Sequence, residues 1–282
     1  MDNSDGLSTL AIGSGRASTS GAPGDSSPAT ATGRGENNGG DFLCRRALLQ
    51  LLPTRAYADA QLDDTAGRAR RDFRWRPPLR LSLRARVSRA ALPGTFGFGF
   101  WNDPFSFSFG QFGAARKLPA APQCAWFFHG APPLDLPLVR GVPGSGWKAA
   151  TLRSRAVPLP LLAPLAAGGL ILASLPLTRR WIFDRAHAFY LAEESLLRED
   201  PTAWHTYTID WQPDRVLFLV DGAPALESLR PPLPPLGLVM WIDNQYAVAS
   251  PAKGVGFGVL PIEKEQRMEL EDVRIEAVSP AC

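Results

Sequence analysis

Cysteine, histidine and methionine are scarce in this chain, with three of each among 282 residues. The cysteines are Cys44, Cys124 and Cys282. They are odd in number and lack C-x-x-C spacing, which excludes a disulfide framework or a zinc site of ordinary spacing. Cys124 lies in an apolar run and reads as a small buried side chain. No set of His, Cys, Asp and Glu has metal-ligand spacing, and no cofactor is indicated. Charge of one sign is also lacking. The net charge is +3, too small for a strong pull toward nucleic acid. The small basic groups at Arg68-Ala-Arg-Arg71 and Arg84-Ala-Arg86 fit solvated strand faces and loop ends. There is no G-x-S-x-G and no phosphate loop. Gly13-Ser-Gly15 and Gly33-Arg-Gly35 neither follow a strand nor open a helix, so they read as linker. The charged-then-apolar pattern of a secretory signal is missing, because residues 7–12 are too short and too polar. The expectation is a cytoplasmic protein of a bacterium.

Residues 1–40 are rich in Gly, Ser, Thr, Ala and Asn and hold almost no large apolar side chain. Such a segment cannot offset its chain entropy by burial, and a disordered tail is expected. Residues 41–72 carry a weak helical pattern at Phe42-Leu43, Ala47-Leu48 and Leu51-Leu52, and read as a lead-in, either a short helix or a strand. The β pattern starts near Phe73 and extends to about residue 280. Leu79, Leu81, Leu83, Ala85 and Val87 alternate with Arg80, Ser82, Arg84, Arg86 and Ser88, a strand with one side in water. Phe96, Phe98 and Phe100 share a face with glycines opposite, which marks a close approach by something large. Phe105, Phe107 and Phe109 continue the alternation. Gln123 to Gly130 is a nearly unbroken apolar run, expected as a strand buried on both faces. Further strands are expected at 204–211, 215–221, 236–243 and 267–276. In the last, Met268 and Leu270 have one parity and Val273 and Ile275 the other, so a bulge is expected near Glu271 and Asp272.

Between residues 153 and 200 the β pattern gives way to an apolar insertion. Residues 157–177 are 21 uncharged residues with arginines beyond both ends. The length would span a bilayer, but four prolines and Gly168-Gly169 break any continuous helix. The expected form is a helical excursion over the domain. An interfacial segment that touches a membrane or takes up a lipid-like ligand is the alternative. An amphipathic helix is expected over 181–197, with Trp181, Ile182, Arg185, Phe189 and Leu196 along one side.

The run Trp204-His-Thr-Tyr-Thr-Ile-Asp-Trp211, followed by Arg215-Val-Leu-Phe-Leu-Val-Asp-Gly222, reads as two strands joined by a short turn, the second ending in an Asp-Gly turn. The pair resembles the central hairpin of laminarinase-type glycoside hydrolases (family sixteen). Arg267-Met-Glu-Leu-Glu-Asp-Val-Arg-Ile-Glu276 resembles that family's closing strand. The resemblance covers about residues 73–278 and implies an all-β, concanavalin A-like two-sheet sandwich (jelly roll). It also implies a catalytic strand carrying Glu-x-Asp-x-x-Glu, with two glutamates as nucleophile and acid/base. In chain order that strand is Gln123-Cys-Ala-Trp-Phe-Phe-His-Gly130, which has no carboxylate. Glu193-Glu194 and Glu199-Asp200 lie in the insertion, and Glu263/Glu265 and Glu269/Glu271 lie at or before the closing strand. A structural calcium, common in jelly rolls of this type, has no ligands that can be placed.

The residues left for a concave site are Trp101, Asn102 and Asp103; Trp126, Phe128 and His129; Lys148; and Trp241, Asp243, Asn244 and Tyr246. Asp103, His129 and Asp243 are the candidate catalytic groups, since a His suits proton transfer and a strand-end carboxylate needs a partner or water. The others are candidate ligand-binding residues. His205 matches a structural position of the resembling family. Three functions remain open: a non-hydrolytic carbohydrate-binding relative of family sixteen; an isomerase, cyclase or hydrolase acting on an apolar small molecule in a Phe/Trp-lined pocket beneath the insertion; and a structural or interaction module. The partner expected is thus a glycan or an apolar small molecule. Nucleic acid is not expected, residues 157–177 allow peripheral membrane contact, and the oligomeric state is open.

Overall fold

The computed structural model describes residues 16–19, 29–38, 41–104, 120–155, 157, 164, 168–169 and 171–278. In chain order its strands are β1 (Arg16–Thr19), β2 (Ala29–Asn38), β3 (Asp41–Leu51), β4 (Ala58–Asp63), β5 (Leu79–Val87), β6 (Thr95–Trp101), β7 (Gln123–Gly130) and β8 (Gly146–Ser154). After the helix α1 (Pro176–Phe189) come β9 (Tyr190–Leu196), β10 (His205–Trp211), β11 (Val216–Val220), β12 (Ala223–Ser228), β13 (Gly237–Asp243), β14 (Gln245–Ser250), β15 (Gly254–Val259) and β16 (Gln266–Ala277).

The strands form two seven-stranded sheets, β1-β4-β13-β6-β7-β8-β9 and β12-β11-β10-β5-β16-β3-β2, and a separate β14-β15 ribbon. All pairings within them are antiparallel. This is the expected two-sheet jelly-roll sandwich. Side chains alternate across each strand, so every second residue enters the space between the sheets. From the first sheet come Phe96, Phe98, Phe100, Phe127 and Trp147, and from the second Leu81, Leu83, Tyr207, Trp211, Phe218 and Leu270, all buried. The rings interlock: Phe98 and Phe127 stand 5.1 and 5.0 Å from Tyr207, and Phe127 stands 5.3 Å from Phe218. Edge-on contacts of this kind add to the hydrophobic gain of burial.

The central hairpin forms as read. β10 pairs β11 from Tyr207↔Val220 to Trp211↔Val216. Asp221 and Gly222 both take positive φ, 50° and 80°, the geometry of the two-residue turn that an Asp-Gly pair favours, here linking β11 to β12. The closing strand β16 shifts register between Glu271 and Arg274, and Asp272 has φ 50°, so the expected bulge is present.

Other expectations are corrected. Residues 29–38 fall in the segment expected to be disordered, yet they form β2, paired with β3 at the edge of the second sheet. Backbone hydrogen bonds supply that pairing, and the small side chains of Ala29 and Ala31 are buried. Gly33 and Gly35 belong to the same strand and are not linker. The lead-in, read as a short helix or a strand, forms β3 and β4 inside the two sheets. The insertion is narrower than 153–200. Residues 153 and 154 end β8, and Tyr190–Leu196 is β9, paired with β8. The amphipathic helix therefore ends at Phe189 rather than continuing to 197. α1 has no buried residue, and Leu177 is 99% exposed. Among the described residues no helix is long and apolar enough to cross a membrane. Residues 1–15, Phe105, Phe107, Phe109, Cys282 and most of 158–170 lie outside the described residues.

Candidate functional site: an aromatic platform on the first sheet

The glycines of β6 determine what lies on the outer face of the first sheet. With Phe96, Phe98 and Phe100 turned into the core, Gly97 and Gly99 leave that face without side chains. A Cβ at position 97 would lie 2.6 Å from the Trp241 ring, and one at 99 would lie 2.8 Å from Cβ of Trp126. The Trp241 indole occupies that space over Gly97, and Cα and Cβ of Trp126 crowd it over Gly99. Register places Trp241 beside Gly97 and Trp126 beside Gly99. Trp126 then meets Trp241 at 5.4 Å, Phe128 at 5.7 Å and Trp101 at 6.1 Å, and Phe128 meets Trp241 at 6.1 Å. The four rings form one continuous cluster. Trp101, Trp126 and Phe128 are partly exposed, and Trp241 forms the more buried base.

One side of the platform is polar. On β4, Asp59, Gln61 and Asp63 lie opposite Asp243, Trp241 and Val239 of β13. Asp63 Oδ1 accepts from the backbone N–H and hydroxyl of Thr65, and Asp63 Oδ2 accepts from Gln61 Nε2 at 2.9 Å. Sequence reasoning missed these three residues. Their signal is the alternation Ala58-Asp59-Ala60-Gln61-Leu62-Asp63, which two small alanines make faint.

The other side is closed. Lys148, expected as a ligand-binding residue, is 2% exposed. Its Nζ donates to Glu194 Oε2 at 2.9 Å and to the Pro143 carbonyl at 2.6 Å. Glu194 Oε1 accepts from the backbone N–H groups of Leu138 and Val139. The pair therefore ties the 138–143 loop to β8 and β9. Beyond it, an open groove of about 500 Å³ runs between that loop, α1 and the 250–252 turn. Arg140, Arg180, Asp184 and His187 line it. Arg140 is ion-paired with Asp184, and His187 Nδ1 lies 2.8 Å from the Tyr190 hydroxyl. Desolvation and the nearby Arg140 charge push His187 below the usual histidine range.

The three candidate catalytic groups are not brought together. His129 lies on the inner face, stacked on Phe96 at 4.4 Å, and burial pushes it down to about 4. Asp243 pairs with Thr95, the first residue of β6, whereas Asp103 follows the last. The length of β6 separates them, about 20 Å at ~3.3 Å per residue. Asp103 sits in a turn with φ 48°, and its carbonyl accepts from Arg70 at 2.5 Å. Asp243 Oδ1 accepts from the N–H groups of Thr95 and Gln245, and burial pushes the carboxyl up to about 7.

Asn102 and Asn244 hold the backbone in place. Asn102 bonds Gln123 N–H and the Ala121 carbonyl. Asn244 is fully buried and bonds Ala58 N–H and the carbonyls of Ala56 and Leu260. Tyr246 belongs to the β14-β15 ribbon, where a Cβ at Gly258 would lie 2.7 Å from its ring. His205 Nδ1 lies 2.6 Å from Asp221 Oδ2, beside the turn that ends β11. Of the residues read from sequence, the structure unites Trp101, Trp126, Phe128 and Trp241. The outward residues of β7 are Cys124, Trp126 and Phe128, none of which can act as acid or nucleophile in glycoside hydrolysis. Among the described residues no group of three or more His, Cys, Asp or Glu is placed to hold a metal ion.

The sequence model of the glycosyl hydrolases family 16 matches residues 184–232, from the last turns of α1 through β12, so the resemblance read from the central hairpin holds there. No curated protein matches the chain. Among solved structures, the chain is similar to a Bacteroides ovatus mixed-linkage glucan family-16 enzyme in complex with product, at 9% identity over 86% of this chain and 84% of that one, with a TM-score of 0.43. It is similar to an immunostimulatory antigen and pseudo β-1,3-glucanase of Mycobacterium tuberculosis, at 12% identity over 83% and 75%, with a TM-score of 0.41. It is also similar to an endo-β-1,4-glucuronan lyase from the fungus Trichoderma reesei, at 10% identity over 97% and 92%, with a TM-score of 0.39.

Proposed function

We propose that this chain is a non-hydrolytic carbohydrate-binding relative of family-sixteen glycoside hydrolases, and that it takes a glycan on the outer face of its first sheet. One observation carries the reading. Trp101, Trp126, Phe128 and Trp241 form a continuous ring surface over a glycine floor, with Trp126 and Phe128 on β7, the strand that would carry the catalytic acids in the resembling family, and that strand has none. Sugar rings present apolar C–H faces and polar hydroxyl edges. Exposed indole faces suit the first, and the Asp59, Gln61 and Asp63 edge of β4 suits the second. Retaining hydrolysis needs two carboxyl groups about 5–5.5 Å apart around the scissile bond, and the outward side chains of β7 supply none.

An enzyme for an apolar small molecule would need an enclosed apolar chamber. The space between the sheets is instead filled by the interlocked rings of Phe98, Phe127, Tyr207 and Phe218.

The test is retention on insoluble β-1,3- and mixed-linkage glucans, with reducing-sugar release measured in the same samples. The wild-type chain should be retained without releasing sugar, and Trp126→Ala should lose roughly tenfold or more in affinity, as expected of a central aromatic contact. No retention on any glucan, or sugar release abolished by changing one carboxylate, would overturn the reading.

A further inference from the structure

The groove between the 138–143 loop, α1 and the 250–252 turn has walls that are tied to each other. Arg140 of the loop is ion-paired with Asp184 of α1. Arg179 donates to the Ala252 carbonyl at 3.4 Å and to the Ala173 carbonyl at 3.2 Å, which fastens the start of α1 to the turn. Arg180, Asp184 and His187 are spaced i, i+4 and i+7, so they share the face of α1 that lines the groove. At ~1.5 Å per residue they extend over about 10 Å. The facing wall, from the loop, is apolar and includes Val139, Val142 and Pro143.

The charges of the groove almost cancel. Asp184 compensates Arg140, and Asp135 is compensated by Lys253, 3.4 Å away. Arg180 is left over: it is exposed, and among the described residues it has no ion-pair partner. His187 supplies the opposite polarity. Its Nδ1 lies 2.8 Å from the Tyr190 hydroxyl, which donates to the Leu138 carbonyl at 3.3 Å. A carbonyl can only accept, and a phenol has one proton. Tyr190 therefore gives its proton to Leu138 and accepts from His187, which places the hydrogen of the neutral imidazole on Nδ1. Desolvation and the Arg140 charge favour that neutral form. Nε2 keeps its lone pair, and among the described residues nothing donates to it.

We propose that this groove is a second ligand site, separate from the ring platform, and that it takes a sugar acid: its carboxylate on Arg180, its neighbouring hydroxyls donating to Nε2 of His187 and to the Asp184 carboxylate. A guanidinium matches a carboxylate with two parallel hydrogen bonds. The apolar loop wall suits the C–H face of a sugar ring, and a groove of about 500 Å³ is large enough to hold one. Simpler ligands satisfy only part of the site. A neutral sugar leaves Arg180 without an anion. A lone carboxylate such as acetate leaves Nε2 without a donor. A dianion such as phosphate brings a second negative charge that nothing in the groove balances. The site uses its own residues and does not rest on the proposed function of the platform.

The experiment is calorimetric titration of the full-length chain with glucuronate, glucuronamide, acetate and inorganic phosphate. Glucuronamide keeps the ring and hydroxyls and lacks the charge. Glucuronate should bind roughly tenfold or more tighter than each of the other three. Arg180→Gln, a change at an exposed side chain, should abolish the preference for glucuronate over glucuronamide. His187→Phe should weaken both sugars by a similar factor. Asp184→Asn leaves Arg140 as a second uncompensated cation and should tighten phosphate more than glucuronate. Wild-type chain that binds glucuronate no better than glucuronamide, or phosphate better than glucuronate, overturns the proposal. So does an Arg180→Gln chain that keeps the wild-type preference. Glucuronate binding by a chain that no glucan retains would sink the platform reading and leave this site standing, and glucan retention without glucuronate binding would do the reverse.

Discussion

Lys148 and Glu194 form a diagonal ion pair across β8 and β9, 2.9 Å apart, with both side chains almost completely sealed from water. Stripping water from two charges is expensive, and their attraction offsets the cost only when the remaining donors and acceptors are bonded. Here the Pro143 carbonyl and the N–H groups of Leu138 and Val139 complete the set. Removing one partner strands the other. Lys148→Met or Glu194→Gln should therefore lower unfolding free energy by about 3–5 kcal/mol. The double variant should lose less than the sum of the two. Urea denaturation of all four chains measures this, and additive losses would show that the residues act independently.

His129 gives the stability a pH slope. Burial against Phe96 lowers it from 6.5 to about 4. Between those values the unfolded chain binds the proton and the folded chain does not, so its contribution falls as pH drops through that window. Asp64 and Asp243 act with the opposite sign. Burial raises them from 3.8 to about 6 and about 7, so their contribution falls as pH rises from about 4 toward those values. His129→Phe should remove the acid-side loss while keeping the stack on Phe96. Its gain over wild type should be larger at pH 4.5 than at pH 7.5. A gain equal at both pH values would mean that His129 does not titrate in this range.

β2 covers an edge. It pairs with β3 from Ala29↔Leu51 to Asn38↔Asp41, and β3 carries the buried residues Ala47, Leu49 and Leu51. Deleting residues 1–40 should expose the free backbone groups of β3, lower the melting temperature and promote aggregation. Differential scanning calorimetry with light scattering tests this. Unchanged melting without association would show that β2 contributes nothing.

Asn244 ties three backbone segments together through Ala58 N–H and the carbonyls of Ala56 and Leu260. Asn244→Ala leaves those buried groups unpaired and should cost about 2–4 kcal/mol. Amide exchange at Ala58 should accelerate more than exchange in β10. Equal acceleration everywhere would point to global destabilisation without a local tie.

Much of the sandwich was legible because period-two alternation reports a half-buried strand directly, as in Leu79–Val87 and the phenylalanines of β6. The Asp-Gly turn and the bulge near Asp272 were legible for the same local reason. β2 was not. Its side chains are small, and what holds it is backbone pairing with a partner whose identity a composition does not state. The helix expected over 181–197 overran β9 because Leu196 continues the helical spacing of Trp181, Ile182, Arg185 and Phe189, and pairing with β8 overrides that preference. In the site, Trp126 and Phe128 lie in the apolar run of β7, expected as buried on both faces; the structure leaves both partly exposed, because the glycines of β6 beside them carry no side chains to cover that face. The burial of Lys148 was not legible, because Glu194 lies 46 residues away in sequence. Asp243 looked reactive as a strand-end carboxylate, and only its hydrogen-bond partners show that it is occupied.

Gly97 and Gly99 hold the platform in a form that a search for ring-bearing residues cannot see. Because the Trp241 indole fills the volume where a Cβ at 97 would stand, and Cα and Cβ of Trp126 fill it at 99, the floor and the rings constitute a single shape. A relative with every tryptophan kept and an alanine at 97 would present a different surface. Tolerance to substitution along this face should therefore be lowest at the positions that touch a ligand least, and variation at the two glycines would be the more sensitive marker of whether a homologous chain keeps the same surface.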